Sequence, residues 1–259
     1  MTDPPDPPVL FECRDGVARV TLNRPPLNLL RPESIRALRD GFEELARDPT
    51  VRVAVVTGTG RAFTAGMDVR FLVTLDVAAA KRFIAELHAA IHAVHEAPFP
   101  VIAALNGHAL GAGFELAIAC DLRIATTDVT LGLPEVRVGV PSVIEAALLP
   151  ALVGPGRAAE LLMLGESIGA ARALDWGLVN EVVPAGELSH ATERMVEKVV
   201  ACAPSAIRLQ KELIVAWRKT DLATAVRLGI NAFATSFASG EPTEALRAFL
   251  EKRPPRFGV

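Results

Sequence analysis

The sequence has few cysteines, and they form no pattern. Cys13, Cys120 and Cys202 are the only three, they are widely spaced, and no CxxC pair occurs. An odd, scattered set argues against a disulfide framework or a zinc site and fits a reducing compartment. We therefore expect a cytoplasmic protein in which Cys120 lies in the core.

Long apolar runs and an excess of basic residues are also missing. No apolar run reaches the roughly 18 residues that a membrane-spanning helix needs, so we expect no membrane association. A net charge of −3 lacks the basic excess of nucleic-acid-binding proteins, so no nucleic acid is expected as a partner. Residues 1–8 are acidic and proline-rich, unlike a targeting peptide, and we expect them to be a disordered lead.

What the sequence does contain is an alternation of strand and helix patterns. Apolar residues make up 51% of its 259 residues, enough for a sizeable core. The pattern predicts strands over residues 9–13, 17–22, 51–56, 101–105, 121–125 and 179–183. It predicts helices from Pro32 to Asp48, from Val77 to Glu96 and from Phe114 to Cys120, with a loop over 107–113. This alternation indicates an α/β architecture.

The last part of the chain has a different pattern. From Glu187 to Leu250 the sequence is almost wholly helical, with breaks at Ala203-Pro204 and Gly240-Glu241-Pro242. No long linker separates the two parts. We therefore predict one compact core over residues 9–186 and a helical C-terminal subdomain over residues 187–259.

The segment Gly107–Glu115 is a small-residue turn that leads into a helix. Such a turn exposes unpaired N–H groups at the positive end of the helix dipole, which can bind a phosphate or an oxyanion. Close packing between a strand and a helix is the alternative. Gly111-Ala112-Gly113 is not followed by the Lys-Ser or Lys-Thr of a P-loop. Phe63 replaces the glycine that a dinucleotide fingerprint would need after Gly58-Thr59-Gly60.

Two carboxylates accompany this turn. Glu115 begins an otherwise apolar helix, where burial would raise its pKa, although a simple capping role is the alternative. Glu135 follows Pro134 in an apolar surround, and its local sequence alone favours an exposed loop acid. Glu145 is a third acid nearby. Paired carboxylates are typical of general acid–base catalysis.

Two further segments give weaker signals. Residues 61–70 are rich in small side chains and could let a ligand approach the main chain, although an ordinary loop is the simpler interpretation. His88, His92 and His95 are spaced to share one helix face. No carboxylate completes a zinc motif such as H-E-x-x-H, so we expect a solvated or interface stripe and no metal site.

Several segments, in this order, resemble the enoyl-CoA hydratase/isomerase (crotonase) family over nearly the whole chain. The segments are 22–25, 62–68, 106–107, 111–117, 134–141, 177–183 and 249–253. The resemblance implies a spiral of ββα units with a helical trimerisation tail, and a homotrimer or homohexamer. It also implies an acyl-CoA thioester as substrate, so that coenzyme A belongs to the substrate and no separate cofactor is expected.

The resemblance also implies roles for particular residues. The backbone N–H groups of Met67 and Ala112 would hold the thioester oxygen, and Glu115 and Glu135 match both hydratase glutamates. The substrate would bind along Ala65, Gly66, Asp68, Val69, Arg70 and Gly111. The function implied is hydration of a 2-enoyl-CoA. A double-bond isomerase, an acyl-CoA hydrolase and a non-catalytic scaffold or RNA-binding protein remain alternatives. The segment 142–147 departs from the family's glycine-rich pattern, which leaves the acyl chain open.

Overall fold

The computed structural model describes residues 6–257. Its strands are β1 (Val9–Arg14), β2 (Val17–Leu22), β3 (Val53–Gly58), β4 (Ala62–Thr64), β5 (Val101–Leu105), β6 (His108–Leu110), β7 (Leu122–Thr126), β8 (Thr130–Gly132), β9 (Ser167–Gly169) and β10 (Glu181–Val183). Its α-helices are α1 (Pro32–Arg47), α2 (Val69–Leu72), α3 (Val77–His95), α4 (Ala112–Ala119), α5 (Leu149–Val153), α6 (Pro155–Leu164), α7 (Ala170–Asp175), α8 (Leu188–Val200), α9 (Pro204–Trp217), α10 (Leu222–Ser236) and α11 (Glu241–Leu250). Short 3-10 turns cover Pro134–Val138 and Ile144–Leu148.

The larger sheet has six strands in the order β1-β2-β3-β5-β7-β10. The hairpin predicted around Asp15-Gly16 is confirmed, since β1 and β2 pair antiparallel. The remaining neighbours pair parallel. Strand β5 is buried at all five positions, as a central parallel strand covered on both faces should be. One face packs on α8, and the other on the main core of α1, α3 and α4.

The smaller sheet has four strands in the order β4-β6-β8-β9. Strands β4, β6 and β8 run parallel, and β9 pairs antiparallel with β8. Each of its parallel strands directly follows a strand of the larger sheet, and helical segments come next. The expected repetition of ββα units is therefore confirmed.

The segment 107–113, predicted as a loop, is partly regular. It contains β6, and α4 begins at Ala112 rather than at Phe114. Strands β4, β8 and β9 were not predicted either, and like β6 each has three residues. These four strands show too little alternation to be recognised, and only their neighbours in the sheet define them. Strand β10 is equally short but lies within the predicted strand 179–183.

The C-terminal part is helical as predicted, with breaks at both expected places. The sequence missed a further break between α9 and α10, where the side chain of Asp221 accepts a hydrogen bond from the Thr224 N–H and caps α10. No helix within residues 6–257 is long and apolar enough to cross a membrane.

The proposed domain bounds stay a prediction. Residues 1–5 of the expected disordered lead, and the last two residues of the predicted subdomain, lie outside the described residues. Within the lead, the carbonyl groups of residues 6–8 accept hydrogen bonds from Asn23 and Arg24.

Candidate active site

The candidate site lies where the three parallel strands of the smaller sheet end. Met67 follows β4, Ala112 follows β6, and Glu135 follows β8. The carboxyl ends of parallel strands meet at one edge, where α/β proteins commonly bind ligands. Residues that are far apart in the sequence are therefore brought to one place by the pairing of three short strands.

The backbone of Met67 is fixed by the segment that precedes α1. The Leu30 N–H donates to the Gly66 carbonyl at 2.8 Å, and the Asp68 N–H donates to the Leu30 carbonyl at 3.2 Å. Successive N–H groups of extended backbone point to opposite sides, so the Met67 N–H faces away from Leu30. Within residues 6–257 the Met67 N–H donates no hydrogen bond.

The second amide belongs to Ala112, the first residue of α4. The N–H groups of a helix's first turn have no partner inside the helix, and the Ala112 N–H donates to nothing within the described part of the chain. Gly66 adopts a φ of 85° and lies against this amide, since a Cβ atom at Gly66 would be 3.5 Å from the Ala112 nitrogen. Gly66 is bonded to Met67, so the two unpaired amides are close together.

Gly111 connects the turn to both glutamates. Its carbonyl accepts a hydrogen bond from the Glu115 N–H at 3.0 Å. A Cβ atom at Gly111 would lie 2.5 Å from Glu135 Oε1. The carboxylate of Glu135 therefore lies against the start of α4, and Glu115 belongs to the first turn of that helix and feels the charge of Glu135.

Glu115 is buried in the middle of the protein. All eight residues of α4 are buried, and the side chain of Glu115 is the only ionisable group among them. Burial raises the pKa of Glu115 to about 9, and the negative charges of Glu135 and Glu145 add to the rise. The nearby backbone amides of Val143 and Ala146 oppose it. Glu115 therefore holds a proton at neutral pH.

Glu135 is also buried, which corrects the exposed loop acid that its local sequence favoured. The Ser142 hydroxyl donates to its Oε2 at 2.8 Å. The local sequence was misleading because the residues shown to lie against the carboxylate of Glu135, Gly111 and Ser142, are not its immediate neighbours in the sequence.

The third acid, Glu145, faces the same region. It is buried on the 3-10 turn Ile144–Leu148, and its Oε1 lies 2.7 Å from His88 Nδ1. Burial raises the pKa of Glu145, and the neighbouring His88 opposes this rise. Its other oxygen, Oε2, is buried without a hydrogen-bond partner in the described residues.

The three histidines of α3 were predicted to form a solvated or interface stripe, and they are not uniformly solvated. His88 is exposed, His92 is half-buried, and His95 is buried with its Nδ1 3.1 Å from the Ala119 carbonyl oxygen. Burial lowers the pKa of His95. The face they share turns gradually into the core, so one helix face has three environments.

The residues expected along the substrate channel surround Met67. Ala65 is half-buried, Gly66 and Gly111 are buried, and Val69 and Arg70 are exposed. Asp68 is buried, and its carboxylate is hydrogen-bonded within the protein. It accepts a hydrogen bond from Arg31 Nε at 2.7 Å and from the Arg70 N–H at 2.9 Å. The hydrogen bond from Arg31 lowers the pKa of Asp68. Asp68 thus caps α2 and links it to the segment preceding α1.

Sequence reasoning missed three contributors to this site: Arg31, Ser142 and His88 as the partner of Glu145. Each contacts a residue that was singled out: Arg31 and His88 do so across 37 and 57 residues of sequence, and Ser142 across seven. The signal available was weak: Ser142 and Glu145 both lie in the segment that departs from the family pattern. Arg31 gave no signal beyond its place before a helix.

A shallow cavity of about 270 Å³ lies beside this edge. It is lined by Arg24, Pro25, Pro26, Leu27, Leu29, Arg31 and Glu33. The segment that forms it is the one that pairs through Leu30 with Met67. A larger cavity of about 560 Å³, which includes Glu96 and residues of α9, contains none of the site residues named above.

Comparison with known proteins points to the same family as the sequence motifs. The family model described as enoyl-CoA hydratase/isomerase matches residues 12–259. The chain is 35% identical to a crotonyl-CoA hydratase of Syntrophomonas wolfei over 252 residues, 96% of this chain and 97% of that protein. It is 35% identical to a short-chain-enoyl-CoA hydratase of Clostridium acetobutylicum over 248 residues, 95% of each chain. A crystal structure of an enoyl-CoA hydratase from Mycobacterium smegmatis superposes with a TM-score of 0.94, at 33% identity, covering 98% of this chain and all of that one.

Proposed function

Because the chain belongs to the enoyl-CoA hydratase/isomerase family, its reaction is the addition of water to an enoyl-CoA thioester, and we propose which residues perform it. The N–H groups of Met67 and Ala112 bind the thioester oxygen. Glu115 and Glu135 transfer the protons. The observation that carries this proposal is the meeting of two unpaired amides and two buried carboxylates at one edge of the smaller sheet.

The amides supply the electrostatic part of the reaction. When water attacks the β-carbon, electrons move through the double bond towards the thioester oxygen, which gains negative charge. Two fixed N–H donors stabilise that charge more than they stabilise the neutral substrate. The positive end of the α4 dipole acts in the same direction. Loss of one such donor typically lowers the rate by about 10²–10³-fold.

The carboxylates supply the proton transfers. The oxygen of water forms a bond to the β-carbon, one of its protons passes to an ionised carboxylate, and a proton passes to the α-carbon from a protonated one. Glu115 is the member of the pair that holds a proton at neutral pH, because burial and the charges of Glu135 and Glu145 raise its pKa to about 9. The two glutamates act as one coupled pair. Its net charge does not change during the reaction, but the proton has moved from Glu115 to Glu135 and returns to Glu115 by exchange with water before the next turnover.

We place the coenzyme A part of the substrate along residues 65–70 and the neighbouring cavity at Arg24. The small residues Ala65 and Gly66 allow coenzyme A to approach the main chain closely. The exposed Arg70 and the guanidinium of Arg24 provide positive charge for its phosphates. Coenzyme A enters and leaves as part of the substrate, and we propose no separate cofactor.

We also propose a homotrimer or homohexamer that works in the cytoplasm in fatty-acid metabolism. Support for assembly comes from the many exposed apolar side chains of the C-terminal helices, because monomeric proteins rarely expose an apolar surface this large. They are Trp217, Leu222, Val226, Ile230, Phe233, Phe237, Leu246, Phe249 and Leu250. Light scattering during size-exclusion chromatography measures the assembly, and a monomer would contradict this part of the proposal.

The central experiment compares hydration of crotonyl-CoA and longer enoyl-CoA thioesters by wild type, Glu115→Gln and Glu135→Gln. We expect loss of the enoyl-thioester absorbance with wild type and a fall in kcat of at least about 10²-fold in each variant. Binding of a saturated acyl-CoA should remain. Glu187→Gln removes an exposed glutamate outside the site and serves as the control.

Product analysis separates this reaction from others on the same fold. Chromatography should show a 3-hydroxyacyl-CoA, whereas a displaced double bond or free coenzyme A would favour an isomerase or a hydrolase. Full activity in either glutamine variant would remove that glutamate from the mechanism.

A further inference from the structure

Two histidines and a buried glutamate meet outside the catalytic pair. His88 and His92 lie one turn apart on α3, with ring centroids 5.1 Å apart and planes tilted by 35°. Glu145 reaches them from the 3-10 turn Ile144–Leu148, and its Oε1 lies 2.7 Å from His88 Nδ1. One ligand atom from each residue lies within 4.8 Å of the others. The sequence could not predict this group, because the carboxylate comes from a segment more than 50 residues away.

The carboxylate of Glu145 is incompletely satisfied by the protein. The residue is only 6% exposed, and its Oε2 has no hydrogen-bond partner within residues 6–257. Leaving a charged oxygen buried and unpaired costs free energy, so such an atom calls for an explanation. A cation bound beside the carboxylate would supply the missing interaction.

The ligand types and spacing fit a transition-metal ion. Two imidazole nitrogens and one carboxylate oxygen form a common protein donor set for Zn²⁺, with each bond about 2.0–2.2 Å long. Atoms bound to one such ion lie about 3–4 Å apart. The three ligand atoms lie within 4.8 Å of one another, close to this spacing.

A second carboxylate contacts one of the histidines. Glu96 Oε1 lies 3.3 Å from His92 Nε2, and Lys219 pairs with the same glutamate. Metal-binding histidines commonly donate their second ring N–H to a carboxylate, which fixes the tautomer and strengthens the ligand. In this geometry Nδ1 of His92 would be the nitrogen left for an ion.

We propose that His88, His92 and Glu145 form a site for one divalent transition-metal ion of the Zn²⁺ class, with the remaining coordination position open to water. The ion would replace the direct contact between His88 and Glu145.

The test uses untagged, metal-stripped protein titrated with Co²⁺, whose visible absorption reports coordination, followed by competition with Zn²⁺. We expect one ion per chain, and a loss of affinity of at least about 10-fold in each of His88→Gln, His92→Gln and Glu145→Gln. His190→Gln is the matched control, because His190 is an exposed histidine outside the group. Circular dichroism establishes that each variant is folded before titration.

The variants have distinct consequences for the proposal. Unchanged affinity in Glu145→Gln would show that helix histidines alone capture the ion, and it would overturn the site. Absence of any binding to wild type at micromolar Zn²⁺, or an equal loss in His190→Gln, would overturn it as well. A rise in the melting temperature of wild type on adding Zn²⁺, absent in folded Glu145→Gln, supports it. None of these measurements depends on catalytic turnover.

Discussion

Glu135 Oε1 occupies the space into which a Cβ atom at Gly111 would project, at a distance of 2.5 Å. The backbone of Gly111 has φ 54° and ψ −128°, a conformation that residues other than glycine avoid. The next residue, Ala112, carries one of the two unpaired amides. The absence of a side chain at one position therefore allows the carboxylate and the amide to approach each other.

We expect Gly111→Ala to displace Glu135 and strain the turn. A displacement of about 1 Å commonly lowers the rate by about 10²-fold, so kcat for enoyl-CoA hydration should fall by about that factor. Steady-state kinetics measures it. Gly156→Ala is the control, because a Cβ there meets nothing within 4 Å on α6, and it should leave kcat unchanged. Wild-type kcat in folded Gly111→Ala would contradict the role given to this contact.

The raised pKa of Glu115 predicts a pH-dependent effect of Glu115→Gln on stability. Between its ordinary value of 4.5 and about 9, the unfolded chain has released the Glu115 proton while the native protein keeps it. The native state thus binds more protons, and the free energy of unfolding falls as the pH rises, by at most about 1.4 kcal/mol per pH unit. Glutamine does not titrate, so the variant lacks this fall.

Urea unfolding at about pH 5, 7 and 8.5 measures this difference. Glu115→Gln should become progressively more stable than wild type towards the higher pH, while Glu187→Gln follows wild type throughout. A difference that stays constant over this range would mean that the pKa of Glu115 is not raised. Activity should fall in parallel as Glu115 loses its proton near pH 9.

Ser142→Ala removes the hydroxyl that donates to Glu135 Oε2 at 2.8 Å. A hydrogen bond to a charged group contributes about 1.5–3 kcal/mol, so kcat should fall by about 10–100-fold with a smaller change in KM. Ser142→Thr, which keeps a hydroxyl, should recover part of the rate. Ser189→Ala on the exposed surface of α8 is the control. Equal rates in Ser142→Ala and wild type would show that Glu135 does not need this donor.

Asp68→Asn tests whether the contact with Arg31 positions the Met67 amide. Asparagine keeps the capping oxygen for the Arg70 N–H but loses the ion pair with Arg31, so the segment between β4 and α2 that carries Met67 should shift slightly. We expect kcat to fall by about 10-fold, since catalysis depends on the placement of that donor. Asp40→Asn breaks an exposed aspartate–arginine pair on α1 and should change nothing. If both variants keep wild-type kcat, Asp68 has only a structural role.

The longer elements were predictable because their patterns extend over many residues. The hairpin at Asp15-Gly16, the strand that became β5 and the helices α1 and α3 all agree with their periodicity and with their glycine and proline boundaries. The strands of the smaller sheet were not predictable, since a three-residue strand is too short to show an alternation of apolar and polar residues. These short strands are the elements that bring the site together.

The two glutamates show the same limit at the level of single residues. For Glu115 the apolar helix left two alternatives open, burial and a simple capping role, and the residue is buried. Glu135 was expected at the surface from its neighbours in sequence, and it is buried. For Glu135 only the resemblance to a family indicated otherwise, because its surroundings come from segments that local sequence does not reveal.

By itself, the sequence determined the family, the α/β class and the candidate amides and carboxylates, because motif order and long periodic runs are local properties of the chain. Only the tertiary structure decided that Gly66 lies against Ala112, that Glu135 is held by Ser142 and that Glu145 meets His88. These contacts depend on how separate segments of the chain pack against one another and exclude water. The resulting burial sets the charge state of Glu115.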